Sequence, residues 1–213
     1  RIAINLKINV GDSAHASAPW LARNAIEESM KFTSELKKSL EENQEGQSKG
    51  MMLTATITEI KGGDSHNVTP KECNTIMDIR IPVTLNCKAV GEKIATKVAE
   101  LSSKQQVEAL YSVIDETEPF EAPMNSPLVR AFTLGVMDVE RKRPALIRKT
   151  GTGDMNIIGT LWNIPVVTYG PGDPHASHTI DERVSMNEYL RGIEVIRNTL
   201  HHLKRLHDAK TEK

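Results

Sequence analysis

The chain has 213 residues, of which 26% are charged, and a formal net charge of -1 at pH 7. This length allows one large domain or two small ones, each with its own hydrophobic core. The near-neutral charge argues against a nucleic-acid partner, and no apolar run is long enough to cross a membrane. Cys73 and Cys87 have no C-x-x-C spacing, so we expect reduced core cysteines and a cytoplasmic protein.

The first part of the chain alternates strand and helix patterns. Apolar residues at every second position predict strands, and apolar residues at helical spacing predict helices. Strands are predicted over residues 2–10, 52–60, 73–81 and 107–113, and helices over residues 21–42 and 91–102. The order β-α-β-β-α-β is typical of a ferredoxin-like fold, with a four-stranded antiparallel sheet and two helices on one face. Its open sheet edges favour pairing with a second copy.

A proline-containing linker over residues 118–125 separates this part from a second one. Ser126 followed by Pro127 predicts the start of a helix that ends near residue 140. Short strands are predicted over residues 145–148 and 164–169, on either side of a glycine-rich loop.

A final helix is predicted to begin at Ser185, with Glu188 completing a capping box. Its apolar residues are predicted to share one face: Tyr189, Leu190, Ile193, Ile196, Leu200 and Leu203.

Two strands cannot close an α/β sheet, so the second part resembles half of a domain. We therefore expect a domain over residues 1–116, followed by the C-terminal segment of an α/β domain over residues 117–213. The chain lacks an initiator Met, and its first strand begins at once. These features predict that the chain is part of a longer protein, in which the ferredoxin-like unit is an insertion.

Two residues of the first part have side chains suited to ligand binding. His15 lies in a small-residue loop, where its imidazole either approaches a ligand or is an ordinary surface side chain. Arg80 shares a strand face with Asp78 by alternation. Its guanidinium either binds a ligand carboxylate or forms an ion pair with Asp78 on the sheet surface.

Two loops of the second part also carry candidate chemistry. Residues 149–156 offer backbone amides and hydroxyls suited to an anion or an acyl oxygen, although the P-loop pattern is absent. His178 ends a turn-rich stretch with acids behind it, as a metal ligand on a rigid loop would. Hydrogen bonding of His175 or His178 to Asp173 or Asp181 explains this stretch equally well.

Four stretches occur in a fixed order along the chain. They lie at residues 14–26 (Ala-His-Ala-Ser-Ala-Pro, then Asn-Ala-Ile), 62–80 (Gly-Gly, Asn-Val-Thr-Pro and Asp-Ile-Arg), 151–154 (Gly-Thr-Gly-Asp) and 178–182 (His-Thr-Ile-Asp-Glu). Together they resemble the M20 metallopeptidase family, the group of acetylornithine deacetylase, succinyl-diaminopimelate desuccinylase and carboxypeptidase G2. Residues 148–156 and 169–172 are most similar to the acetyl-lysine deacetylase branch, the carrier-protein-lysine or carrier-protein-ornithine hydrolases of lysine biosynthesis.

This resemblance implies a ferredoxin-like lid that dimerises and is inserted in an aminopeptidase-like α/β domain with two metal ions, Zn2+ or alternatively Co2+. In this family pattern, His178 matches a zinc ligand. His15 matches a lid histidine that reaches across the homodimer to stabilise an oxyanion. Asn67 and Arg80 match residues that bind the substrate's polar groups and carboxylate, and Gly151 and Thr152 match a loop that contacts substrate.

The implied reaction is the attack of a metal-activated water on an amide. The implied substrate is a small N-acyl amino acid or an acidic amino-group carrier protein linked to lysine or ornithine, in lysine or arginine biosynthesis. The family's other ligands and its general base precede the lid, so we expect this chain alone to bind zinc weakly and not to hydrolyse amides. A non-catalytic ferredoxin-like dimerisation or binding module is the alternative of a different class.

Overall fold

A computed structural model describes residues 1–149, 151–174, 176–177 and 179–211. The chain divides into two compact units. The first unit comprises Arg1–Pro119 together with Gly151 and Thr152, and the second comprises Phe120–Lys149 and the described residues from Gly153 onward.

The first unit is an antiparallel four-stranded sheet with two long helices. Its elements are β1 (Ile2–Asn9), α1 (Ala25–Leu40), β2 (Thr54–Gly62), β3 (Glu72–Arg80), α2 (Cys87–Gln105) and β4 (Glu108–Glu116). The strands lie in the order β2-β3-β1-β4, so that β2 and β4 form the edges. This is the predicted β-α-β-β-α-β arrangement, and the predicted fold class is confirmed.

Alternation along β1 explains how this unit folds. Ile4, Leu6 and Ile8 point to one face and are fully buried there against Phe32 and Ile94 of the helices. Burial of each such side chain contributes about 1.5–3 kcal/mol. The opposite sheet face carries mainly polar side chains and is therefore available for other contacts.

Both helices of this unit begin at asparagine caps that differ from the predicted starts. Asn24 Oδ1 accepts from Ile26 N at 3.0 Å, and Asn86 Oδ1 accepts from Ala89 N at 2.8 Å. The prediction of a helix from residue 21 is wrong because Pro19–Leu21 forms a separate 3-10 turn before the cap. The helix predicted from residue 91 begins four residues earlier, at Cys87.

The described part of the second unit contains three helices: α3 (Pro127–Glu140), α4 (Asp154–Trp162) and α5 (Met186–Thr211). The predicted starts at Ser126 and after Ser185 are confirmed, and Ser126 Oγ accepts from Val129 N at 3.3 Å. Helices α3 and α5 approach closely at Gly135, where a Cβ atom would lie 2.4 Å from Thr199 Oγ1.

The predicted strands at residues 145–148 and 164–169 are wrong. Neither segment is a strand, and no described residue of the second unit belongs to one. Apolar alternation does not make a strand unless a neighbouring strand pairs with its backbone groups. Part of the predicted glycine-rich loop is instead helix α4, at whose start Gly153 N donates to Asn156 Oδ1 at 3.2 Å.

Helix α5 does not bury the apolar face that its sequence predicts. Its buried residues, among those described, are Gly192, Val195 and Thr199, and the last two face α3. The predicted face is about half exposed, with Leu190 at 55% and Leu200 at 61%. Among the described residues, no helix is both long and apolar enough to span a bilayer.

Candidate functional site

Two of the predicted site residues, His15 and Asn67, are brought together by two paired loops. Ala16 N donates to Asn67 O at 2.8 Å, and His15 forms an antiparallel bridge with Val68. The buried Thr69 fastens this pairing, because its Oγ1 accepts from Ala14 N at 2.8 Å. The two loops are therefore held as one unit although 55 residues separate Ala14 from Thr69.

Serine contacts orient both side chains of this pair. His15 Nδ1 lies 2.8 Å from Ser17 Oγ and accepts from Ser17 N at 3.1 Å. Ser65 Oγ donates to Asn67 Oδ1 at 2.6 Å. Each side chain thus accepts a hydrogen bond within its own loop, and the Nδ2–H groups of Asn67 can act as donors to a ligand.

Arg80 lies at the end of β3, where its guanidinium is held on two sides. Its Nε lies 2.6 Å from Asp78 Oδ1, and its Nη2 donates to Asp78 Oδ2 at 3.2 Å. The predicted surface ion pair therefore exists. Arg80 Nη1 donates to Thr152 Oγ1 at 3.2 Å, which brings two further predicted site residues together. The remaining guanidinium N–H groups can still bind a carboxylate.

The His15–Asn67 pair and the Arg80–Thr152 pair lie at opposite ends of the sheet. The paired loops leave the sheet where Asn9 faces Glu72, while Arg80 ends β3 eight residues after Glu72. At about 3.4 Å per residue, the strand alone separates these ends by about 27 Å. One small amino-acid derivative therefore cannot contact both pairs of the same copy.

The metal-binding prediction is not tested by the described residues. His178 lies outside them, so its predicted role as a ligand stays a prediction. Among the described residues, Cys87, Glu116 and Glu118 form a group whose ligand atoms lie within 4.8 Å of one another. Burial raises the pKa of the Cys87 thiol to about 11, so without a bound cation this thiol is protonated at neutral pH.

Sequence reasoning missed the side chains that position the candidate residues. Ser17, Ser65 and Thr69 are small hydroxyl residues within two positions of His15 or Asn67. Such residues often hydrogen-bond to nearby backbone and side-chain groups in turns, which was the available signal. Gly151 is exposed, and its predicted contact with substrate stays a prediction.

Comparison with protein families agrees with this architecture. Residues 3–106 match the model of the M20 family's peptidase dimerisation domain. The LysW-lysine/LysW-ornithine hydrolase of Saccharolobus islandicus is 32% identical over 137 residues, covering 64% of this chain and 37% of that protein. The chain thus spans little more than a third of the length of this curated relative.

Solved structures share the fold at lower identity. An M20 family metallo-carboxypeptidase of Sulfolobus solfataricus superposes with a TM-score of 0.72 at 17% identity, covering 95% of this chain and 58% of that chain. A di-peptidase of Saccharomyces cerevisiae gives a TM-score of 0.78 at 11% identity, covering 96% of this chain and 54% of that chain. At these identities the likeness establishes the fold alone.

Proposed function

Because residues 3–106 form an M20 peptidase dimerisation domain, we propose that this chain supplies two parts of a metal-dependent amide hydrolase. These parts are the lid and the C-terminal segment of the catalytic domain. The enzyme releases lysine or ornithine from an N-acyl or carrier-protein-linked precursor. The hydrolase name of the Saccharolobus relative supports this substrate class. Arg80, with free N–H groups beside Thr152, suits the carboxylate of such an amino acid.

The distance between the His15–Asn67 pair and the Arg80–Thr152 pair is the main observation that supports this proposal. Arg80 and Thr152 lie about 27 Å along β3 from the loops that hold His15 and Asn67. Both pairs serve one small substrate only if two copies contribute to each site. His15 and Asn67 of one copy then act with Arg80 and Thr152 of the other, and the lid is a homodimerisation domain for this reason.

A subunit-complementation experiment tests the shared site. Variants His15→Ala and Arg80→Ala are made in the longer enzyme that contains this chain, and each is expected to lose most of its hydrolysis of N-acyl-lysine. Mixed dimers rebuild one intact site from the His15 of one subunit and the Arg80 of the other. Random mixing of the two variants then recovers about a quarter of the wild-type rate, since half the dimers are mixed and each has one intact site.

The double variant His15→Ala/Arg80→Ala, mixed with the single variant Arg80→Ala, is the matched control and recovers nothing. If each site were built within one copy, the two single variants would also show no recovery on mixing. That result would contradict the shared site while leaving the hydrolase activity itself intact.

The proposed metal dependence rests on His178, which lies outside the described residues, and we propose Zn2+ as the metal that it binds. We also propose that the enzyme is cytoplasmic. This chain spans 37% of the Saccharolobus relative, and we propose that further ligands come from outside it. Metal analysis of the purified chain is expected to find fewer than two zinc ions per chain, without hydrolysis. Two tightly bound zinc ions together with turnover of N-acyl-lysine would contradict this.

A further inference from the structure

We propose that Ser17 is a positioning residue that fixes His15 in the neutral tautomer with its proton on Nε2. This inference rests on the proposed function, in which His15 donates a hydrogen bond to the substrate. Two atoms of Ser17 face the same ring nitrogen: Oγ lies 2.8 Å and the backbone N lies 3.1 Å from Nδ1.

The backbone contact decides which ring nitrogen is protonated. A backbone N–H can only donate, so the Ser17 amide requires a lone pair on Nδ1 of His15. The Ser17 hydroxyl can donate to the same lone pair. A proton on Nδ1 would instead point at the Ser17 N–H, and the neutral ring therefore carries its proton on Nε2.

The surrounding backbone keeps Ser17 in place. Ala18 N donates to His15 O at 2.8 Å and closes a turn around Ser17. On the other side, Ala16 N donates to Asn67 O at 2.8 Å, which ties the same turn to the second loop. With the backbone held on both sides, the Ser17 contacts set the orientation of the ring.

The consequence is a defined chemical role for the exposed edge of His15. Nε2–H is a hydrogen-bond donor suited to a negative oxygen such as an oxyanion. The same nitrogen has no lone pair in this tautomer, so it neither removes a proton nor ligates a metal. The contacts with Ser17 therefore make His15 Nε2 a hydrogen-bond donor.

Imidazole nitrogen spectra of the whole chain test this assignment. Long-range proton–nitrogen NMR spectra at about pH 8, where an ordinary imidazole is neutral, distinguish a protonated ring nitrogen from an unprotonated one. The signals of His15 are identified among the seven histidines by their loss in His15→Gln. We expect an unprotonated Nδ1 and a protonated Nε2.

Variants separate the contribution of the Ser17 hydroxyl from that of the loop. Ser17→Ala keeps the backbone N–H, which requires the lone pair on Nδ1, so the ratio of the Nε2–H to the Nδ1–H tautomer is expected to stay above one. Ser17→Thr keeps both contacts and is expected to leave this ratio unchanged. Ser13→Ala, in the same loop, is the matched control and leaves the ratio unchanged.

A wild-type ring protonated on Nδ1 would overturn the proposal, as would a Ser17→Ala ring whose proton moves to Nδ1. These spectra need neither substrate nor activity. Failure of subunit complementation would therefore leave the tautomer result standing, and an altered tautomer would leave the hydrolase proposal standing.

Discussion

At the residue scale, Cys87 is the ionisable group whose environment is most clearly unfavourable to its charged form. It is buried at the start of α2, and this burial, reinforced by the carboxylate of Glu118, raises the pKa of its thiol to about 11 from 9.0. Cys73 is buried as well, and both thiols are free. We expect neither thiol to react with a disulfide reagent in the native chain at neutral pH, and both to react in denaturant.

The raised pKa of Cys87 also gives stability a pH dependence of known sign. A thiol whose pKa is higher in the folded than in the unfolded state stabilises the fold fully below about pH 9, and that contribution is lost as pH rises towards about 11. The free energy of unfolding of the wild type should therefore fall relative to that of Cys87→Ala over this interval. A pH-independent difference, measured by urea unfolding, would contradict the prediction.

The ion pair between Asp78 and Arg80 is a second residue-scale prediction. The side chains are 19% and 41% exposed and make two contacts, at 2.6 and 3.2 Å. Because they are only partly shielded from solvent, a double-mutant cycle with alanine should give a coupling of about 0.5–1 kcal/mol. Urea unfolding measures it, and added salt should weaken it.

The matched control is a second ion pair with the same two-residue spacing, on the edge strand β2. Glu59 and Lys61 of β2 lie 2.7 Å apart but are 45% and 74% exposed. Their alanine cycle should give a coupling close to zero. Equal coupling for both pairs would mean that burial does not strengthen the Asp78–Arg80 pair.

These residues also show which contacts a sequence can predict. Asp78 and Arg80 were placed on one face because the strand period is two, and the structure confirms the pair. The contact between Thr69 and Ala14 joins loops 55 residues apart, and no local period reports such a contact. The hydrogen bond from Ser17 N to His15 Nδ1 depends on the geometry of one turn, and residue type alone does not determine that geometry.

At the scale of elements, the predictions succeeded where burial follows a simple period. The ends of β1, β2 and β3 lie within two residues of the predicted ends, and β1 and β3 alternate between the core and the other sheet face. Helix α4 was missed because the glycine-rich stretch over residues 149–156 favoured a loop, and Gly159 weakens the helical pattern that follows. The structure shows why glycine is needed there: a Cβ atom would lie 2.3 Å from the Phe120 ring.

Two helical glycines should respond in opposite directions to substitution by alanine. Gly91 of α2 has open space around its Cβ position, so Gly91→Ala should stabilise its helix by about 0.5–1 kcal/mol through helix propensity. A Cβ atom on Gly135 of α3 would meet Thr199 N and Val195 O, both at 2.9 Å. Because backbone atoms cannot move aside, Gly135→Ala should destabilise the packing of α3 on α5 by about 1–3 kcal/mol.

Native-state hydrogen exchange of the α2 and α3 amides measures each change within its own unit. Each glycine is the control for the other, since both substitutions add the same methyl group inside a helix. Stabilisation of α3 by Gly135→Ala would show that the two helices can separate without cost.

At the scale of the whole molecule, the dimer that we propose needs a defined surface, and the first unit offers two sheet edges. Strand β4 carries Glu108, Asp115 and Glu116 and no basic residue, whereas β2 carries Glu59 and Lys61. When two copies of one strand pair antiparallel about a two-fold axis, the β4 edge brings like charges together. The β2 edge can place Glu59 of one copy opposite Lys61 of the other, and this favours β2.

We therefore expect the chain to dimerise through β2, which a pair of matched lysine variants tests. Ile60 of β2 and Val113 of β4 are similarly exposed apolar residues, at 44% and 47%. Ile60→Lys places two like charges near the proposed two-fold axis and should raise the dimer dissociation constant at least about tenfold, while Val113→Lys should leave it unchanged. Sedimentation velocity over a concentration series measures both constants, and circular dichroism checks that both variants fold.

Dissociation of the dimer by Val113→Lys alone would show that the interface lies at β4 instead of β2. A wild type that stays monomeric at every concentration would contradict the proposal that two copies of this chain share a site.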